Sequence, residues 1–293
     1  MSRVLVTGAT GFVGRHALAP LVGSGHEVHA VARTPGATAR GVTWHAADLL
    51  ESPDVVRYVN PDALLHLAWY AEHGKFWSSP RNVQWLEASL ALLRAFSGRR
   101  VVIAGTCAEY DWTTGAERLA EDAPLAPATL YGACKHALRV AGSAYARERG
   151  ISLAWGRIFF LFGLGEHPGR LVPSVLGALQ RGEQAPTTSG EQVRDFLDAA
   201  QVAQAFCALL DSDAEGAVNV ASGRPIAVRD LVTKLAELAG RPQLLRLGAL
   251  SQRPGEPPFI VADTRRLNEE VGWLPAVSLE DALAALVRRA AAR

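Results

Sequence analysis

Cysteine is nearly absent. The 293-residue chain carries three, Cys107, Cys134 and Cys207, an odd number at wide spacings with no Cys-x-x-Cys pair. That argues against a disulfide framework and a zinc site, and it suits a reducing cytosol. Long apolar runs are missing too. None reaches the roughly 18 residues of a membrane-spanning helix, and no secretory leader pattern precedes the first strand pattern, which begins after two residues. An excess of either charge is also lacking. Thirty Lys+Arg stand against 29 Asp+Glu, a net charge of +1, so there is no global field for nucleic acid and no like-charge tail. What remains is ordinary globular composition, 49% hydrophobic and 20% charged. At roughly 100–200 residues per domain, the length fits one large domain or two intimate ones.

Short apolar runs alternate with helical patterns through the first half. Residues 3–6, 27–31, 42–45, 63–67, 100–104 and 151–155 read as strands, and 217–220 as a seventh. Gly14–Val22, Asn82–Phe96 and Leu130–Arg149 read as helices, followed later by Val228–Ala239 and Leu279–Ala290. This alternation predicts an α/β fold, a doubly wound parallel sheet of the Rossmann type. After residue 157 the pattern loosens into glycine- and proline-rich stretches. The second half therefore reads as a smaller subdomain interleaved with the last strand. Residues 1–157 and about 197–221 form the sheet domain; about 158–196 and 222–293 form the subdomain.

Ligands of such sheets sit beyond the carboxyl ends of the strands, where the motifs fall. Gly8-Ala9-Thr10-Gly11-Phe12-Val13-Gly14 follows the first strand and opens the first helix. Glycines there permit a tight turn and close backbone approach to a pyrophosphate, and the helix N-terminus offers its free N–H groups to that anion. The second strand ends Val31-Ala32-Arg33-Thr34. An acid at its end would select NAD, whereas arginine accommodates the 2′-phosphate of NADP. Arg33, with Arg40 as a weaker assistant, thus points to NADP(H), with NAD(H) as the alternative. Asp48, followed by Leu49, either accepts from the adenine amino group or caps a helix. Leu67-Ala68-Trp69 passes beside the cofactor, and small Ala68 permits the approach. Trp69 and Tyr70 either face substrate or cover the sheet edge.

Tyr131 and Lys135 stand at i and i+4, on one face of a helix. A tyrosine hydroxyl is a poor acid–base group at neutral pH until a lysine cation stabilises its phenolate. Thr106, at the end of the fifth strand, offers a hydroxyl to the same substrate oxygen. Together the three suit proton transfer at a carbinol or carbonyl as hydride moves to or from a nicotinamide.

These residues resemble the extended short-chain dehydrogenase/reductases, in particular the NAD-dependent epimerase/dehydratase group that acts on nucleotide sugars. The likeness includes the glycine turn, His66-Leu67-Ala68, Thr106, Tyr131 and Lys135. It continues through Gly156-Arg157-Ile158-Phe159, Arg194-Asp195-Phe196-Leu197-Asp198, Asn219-Val220-Ala221-Ser222-Gly223 and Gly272-Trp273-Leu274-Pro275. The resemblance implies Tyr131 as acid/base, Lys135 as its electrostatic partner and ribose ligand, and Thr106 as the substrate-orienting hydroxyl. It implies a subdomain that grips a nucleoside diphosphate sugar, with Arg194 and Arg253 as candidates for the diphosphate, since guanidinium forks match phosphate oxygens. Each could instead be a structural ion pair. Leu171 and Val172 would lie near the nucleobase. Cys107 and Phe160 would border the substrate, Phe160 standing where the family often has Asn.

The resemblance leads to an expected NADPH-dependent reduction of a nucleotide-linked 4-keto-6-deoxy sugar, in a cytoplasmic homodimer. An NAD-dependent nucleotide-sugar 4-epimerase is the alternative. Cys107-Ala108 after Thr106, where dehydratases carry Asp-Glu, argues against dehydration. Glu109 and Asp111 remain as additional acid–base candidates. The register places Trp85, and not Asn82, where the family has a cofactor-adjacent Asn. Packing is the simpler reading of Cys107, Cys134 and His66. Glu72, His73, Lys75 and Trp77 form a loop that either reaches substrate or is merely exposed.

Overall fold

Strands that are apolar on both faces can be buried only between two layers of helices, and the first half supplies both. The computed structural model describes residues 1–34, 39–252 and 255–291. It begins with β1 (Arg3–Thr7), α1 (Gly14–Gly23), β2 (Glu27–Ala32), β3 (Val42–Ala46) and α2 (Val55–Val59). Next come β4 (Ala63–His66), α3 (Arg81–Ala95), β5 (Arg100–Thr106), α4 (Leu130–Glu148) and β6 (Ser152–Ile158). The remainder comprises β7 (Phe160–Phe162), α5 (Leu171–Arg181), β8 (Ala185–Pro186), β9 (Val193–Asp198), α6 (Ala199–Asp211) and β10 (Gly216–Val220). It closes with β11 (Pro225–Ala227), α7 (Val228–Leu238), β12 (Leu245–Arg246), β13 (Phe259–Ile260), α8 (Arg265–Glu269) and α9 (Leu279–Ala291).

Seven strands pair in the order β10-β6-β5-β4-β1-β2-β3, every pair parallel. This is the doubly wound Rossmann-type sheet that the alternation predicts. The chain order reverses between β1 and β4, where Thr7 lies opposite His66 and where such sheets open a ligand crevice. Alternate residues of one strand feed opposite layers. Val4 and Val6 join Leu18 and Phe206 on one side, while Leu5 joins Leu64, Ile103 and Trp155 on the other.

A second sheet centres on β9, flanked by β11 and β13 and paired also with β7. With α5, α7 and α9 it encloses a separate core that includes Phe162, Leu179, Leu235 and Leu283. The sequence patterns miss most of this sheet, because its strands are two to six residues long and set among prolines and glycines. They also group residues 222–293 together, but α8 leaves that group. Leu267 is buried in the core that holds Val4 and Phe206, and α8 lies against β10. Asn219 of β10 is fully buried and fastens this return: its Nδ2 donates to Leu119 O (2.7 Å) and Asp263 O (2.9 Å).

Candidate active site

The glycine turn leaves β1 under steric compulsion. Gly8 adopts φ +68°, and a Cβ there would lie 2.7 Å from the Ala68 backbone nitrogen. Gly11 N–H donates to Gly8 O at 2.8 Å, and a Cβ on Gly14 would run into that same carbonyl. Thr10 and Gly11 are exposed, Phe12 and Val13 half-buried. The Phe12 and Val13 N–H groups donate to no other backbone carbonyl among the described residues. Unspent donors at the start of a ten-residue helix fit a bound pyrophosphate. Ala68 is buried and Leu67 half-buried against this turn.

At the end of β2, Ala32 is buried and Arg33 exposed, and Arg33 has no ion-pair partner among the described residues. Arg40 is also exposed. Asp48 accepts from Leu50 N–H at 3.0 Å and so closes a turn, not a helix. Leu49 turns into the core beside Val31.

The catalytic candidates rest on β5 and α4. Thr106 is buried, and its hydroxyl accepts from Ala108 N–H at 3.2 Å. Thr129 caps α4 by accepting from Gly132 N–H at 3.1 Å, which sets the first turn that carries Tyr131. The Thr106 side chain lies near enough to the Tyr131 hydroxyl to favour its phenolate. Burial nevertheless pushes the phenol above its ordinary range, opposed by Thr106 and by the Arg170 cation. Phe76 and Trp77 meet the tyrosine ring edge-on, at 5.0 and 5.8 Å. Lys135 is buried, and its Nζ donates to Ala104 O at 2.7 Å and lies 3.9 Å from the centre of the Trp69 ring. Burial pushes its pKa down to about 7, with Glu109 pulling the other way.

Glu109 is not an acid–base group of the cleft. Fully buried, it accepts from Thr106 N–H (3.0 Å), the Trp155 indole (2.8 Å) and Arg157 Nε (3.2 Å). It forms a reciprocal cap with Thr106 and so fixes the threonine. Asp111 instead caps a local turn at Thr113. His66 bridges Thr7 Oγ1 (2.7 Å) and Ser89 Oγ (2.9 Å), and burial holds its pKa down to about 3. It is a neutral, satisfied core histidine. The Cys107 thiol is buried among Tyr110, Phe159 and Ile260 and pushed up to about 12, which excludes a ready thiolate.

On the subdomain side Arg194 is buried and ion-paired with Glu256 (2.8 Å), its guanidinium 5.3 Å from the centre of the Phe160 ring. Val172 points into the subdomain core, while Leu171 is half-buried. Arg253 lies outside the described residues. The 70–79 loop divides: Glu72 and Lys75 pair with each other on the surface at 2.5 Å, whereas Trp77 reaches Tyr131 and His73 stacks on His167 at 4.9 Å. Asn82, passed over in favour of Trp85, is fully buried and bonds Trp69 Nε1 at 2.9 Å. A polar residue in the first turn of an otherwise amphipathic helix is the available signal.

Among the described residues no group of three or more His, Cys, Asp or Glu side chains is placed to hold a metal ion. None of their helices is long and apolar enough to cross a membrane.

The sequence profile of a family described as "NAD dependent epimerase/dehydratase family" matches residues 4–221. The chain is 29% identical over 306 residues to a GDP-6-deoxy-D-mannose reductase of Pseudomonas aeruginosa, covering 97% of this chain and 96% of that one. It is 27% identical over 303 residues to a UDP-glucose 4-epimerase of Corynebacterium glutamicum, covering 93% and 91%. Among solved structures, a Thermus thermophilus UDP-glucose 4-epimerase in complex with NAD superimposes with a TM-score of 0.85, at 26% identity and 98% coverage of both chains.

Proposed function

The chain belongs to the NAD dependent epimerase/dehydratase family, and from that premise we propose that it is an NADPH-dependent reductase of a nucleotide-linked keto sugar, of the 4-keto-6-deoxyhexose type. Its relatives include both nucleotide-sugar reductases and epimerases. The observation that carries the reductase reading is Arg33. It is exposed and unpaired among the described residues, next to a buried alanine where an NAD-selecting acid would stand. A cofactor chosen for its 2′-phosphate suits net reduction by an exchangeable dinucleotide. An epimerase returns the hydride to its own substrate. The 4-epimerase reading keeps its place through the Corynebacterium relative and the NAD-bound Thermus neighbour.

The dinucleotide, when bound, supplies a hydride to the carbonyl carbon. Gly8, Thr10, Gly11, Phe12, Val13 and Gly14 would receive its pyrophosphate and Arg33 its 2′-phosphate. Asp48, Leu67 and Ala68 would line its path. Tyr131 donates its hydroxyl proton to the carbonyl oxygen as negative charge develops there, and Thr106 holds that oxygen by its hydroxyl. Lys135, one helical turn on, carries the positive charge that stabilises the resulting phenolate. The segments 158–196 and 222–263 supply the substrate side, where Phe160, Leu171, Arg194 and Arg253 are the candidates for the nucleoside diphosphate.

Exposed Val83 on α3 and Leu130 and Val140 on α4 support pairing of two copies through these helices. Three free, buried thiols support a reducing, cytoplasmic setting.

The test is to mix the purified protein with NADPH and nucleotide-linked 4-keto-6-deoxy sugars and follow loss of reduced-nicotinamide absorbance. Stoichiometric oxidation supports the reductase. No oxidation, together with NAD retained through purification, supports the epimerase and reduces Arg33 to a surface residue.

A further inference from the structure

Lys135 makes no hydrogen bond to Tyr131 among the described residues; its ammonium is held from elsewhere. One N–H goes to Ala104 O at 2.7 Å, and the face of Trp69 lies 3.9 Å away. That indole is not free to turn. Its Nε1–H donates to Asn82 Oδ1 at 2.9 Å, and Trp85 backs it at 6.4 Å between ring centres. Asn82 is in turn locked, fully buried at the start of α3. Its Nδ2 donates to Phe76 O (2.7 Å) and Ser79 O (2.9 Å). Those two bonds fasten the loop whose Phe76 and Trp77 rings box in Tyr131, and Tyr131 N–H donates to Trp77 O at 3.1 Å. One amide therefore serves both arms of the Tyr–Lys pair. Its oxygen reaches Lys135 through an indole, and its nitrogen reaches Tyr131 through a loop.

We propose that Asn82 and Trp69 are positioning residues that hold the two catalytic side chains in register, Trp69 by seating the Lys135 ammonium on its ring and Asn82 by tying that ring to the 76–79 loop. This rests on Tyr131 and Lys135 being the acid–base pair. The indole face stabilises the charged form of the lysine, because a ring quadrupole attracts a desolvated cation. The other charged or titratable groups around it are Glu109 after β5, which favours the cation, His66 at the end of β4, which is neutral, and Tyr131 on the same helix.

The chain has three lysines, Lys75, Lys135 and Lys234, so protein labelled with carbon-13 at lysine Cε gives three signals to follow by NMR against pH. Lys135 titrates at about 7 and Lys75 above its ordinary value. Trp69→Phe keeps a ring face and leaves the Lys135 midpoint in place. Trp69→Leu removes the face and lowers the midpoint by about one pH unit, with the alkaline fall of kcat moving down by the same amount. Trp69→Phe and Asn82→Ala lose the same bond between the two residues, but only Asn82→Ala frees the loop, so its kcat falls further. An unmoved or raised Lys135 midpoint in Trp69→Leu overturns the seating of the lysine, even where dinucleotide binding weakens. Equal kcat in Trp69→Phe and Asn82→Ala overturns the loop arm. A thermal melt checks that Asn82→Ala folds, and the two Trp69 variants carry the test if it does not. Tyr131→Phe separates the two levels: if it turns over normally the acid assignment fails, while the lysine titration still reads the seat.

Discussion

At the catalytic end of the site Thr106, Lys135 and Glu109 have their polar groups bonded by the protein itself, whereas at the far end Arg33 stands exposed with no ion-pair partner among the described residues. The catalytic end is deeply buried and fixed by β5, β6 and α4. The far end sits just past the end of β2. The contrast teaches where each kind of selectivity resides. Groups that must face a developing charge are oriented before anything binds, so no reorganisation is needed during the reaction. A group that chooses between two dinucleotides is left for the ligand to satisfy.

The sharpest way to break that contrast is at Glu109. Glu109→Gln leaves the Arg157 and Arg139 guanidiniums without their buried counter-charge. Removing one partner of such a buried pair costs about 3–5 kcal/mol, to be read in urea denaturation. An unchanged midpoint would show that the catalytic end is not held from beneath. Arg33→Ala tests the other end. Loss of a charge-assisted phosphate contact, about 1.5–3 kcal/mol, weakens NADPH about 10- to 150-fold. Stability and NADH binding stay as they were, and equal loss of both dinucleotides would remove Arg33 from the 2′-phosphate.

The smallest effect is in acid. Unfolded, His66 takes up a proton near its ordinary value of about 6.5; folded, it does so only at about 3. Between those values the unfolded chain binds the extra proton, so this contribution to stability is complete above pH 6.5 and shrinks as pH falls. The slope is about 1.4 kcal/mol per pH unit, or about 2 kcal/mol between pH 7 and pH 5. His66→Gln removes that part of the acid sensitivity, and an unchanged slope in the variant would place the sensitivity elsewhere.

Much of the sheet was legible because its signals are local. Val4-Leu5-Val6 before Gly8, and Val101-Val102-Ile103 before Thr106, announce strands and the turns that follow. Tyr131 and Lys135 share a face by spacing alone. What stayed hidden depends on approach through space. Nothing near Trp69 in the sequence says that its ring lies over a lysine 66 positions away. Glu109 reads as a free carboxylate until Arg157, 48 residues on, is seen against it. The β9 sheet was lost for another reason. Two- and three-residue strands carry no period to detect, and they are specified by their neighbours.

The return of α8 has a consequence for how the molecule can be divided. Residues 1–221 look like an excisable unit, since they contain all seven strands of the large sheet and the Tyr–Lys helix. Cut there, the fragment would lose Leu267 from its interior and the Asp263 carbonyl from Asn219, leaving an apolar hole and one N–H of a buried amide without its acceptor. The two lobes are stitched by a chain that crosses back after leaving. They are not separable cassettes, and exchanging the smaller lobe for that of a relative means transplanting the stitch along with it.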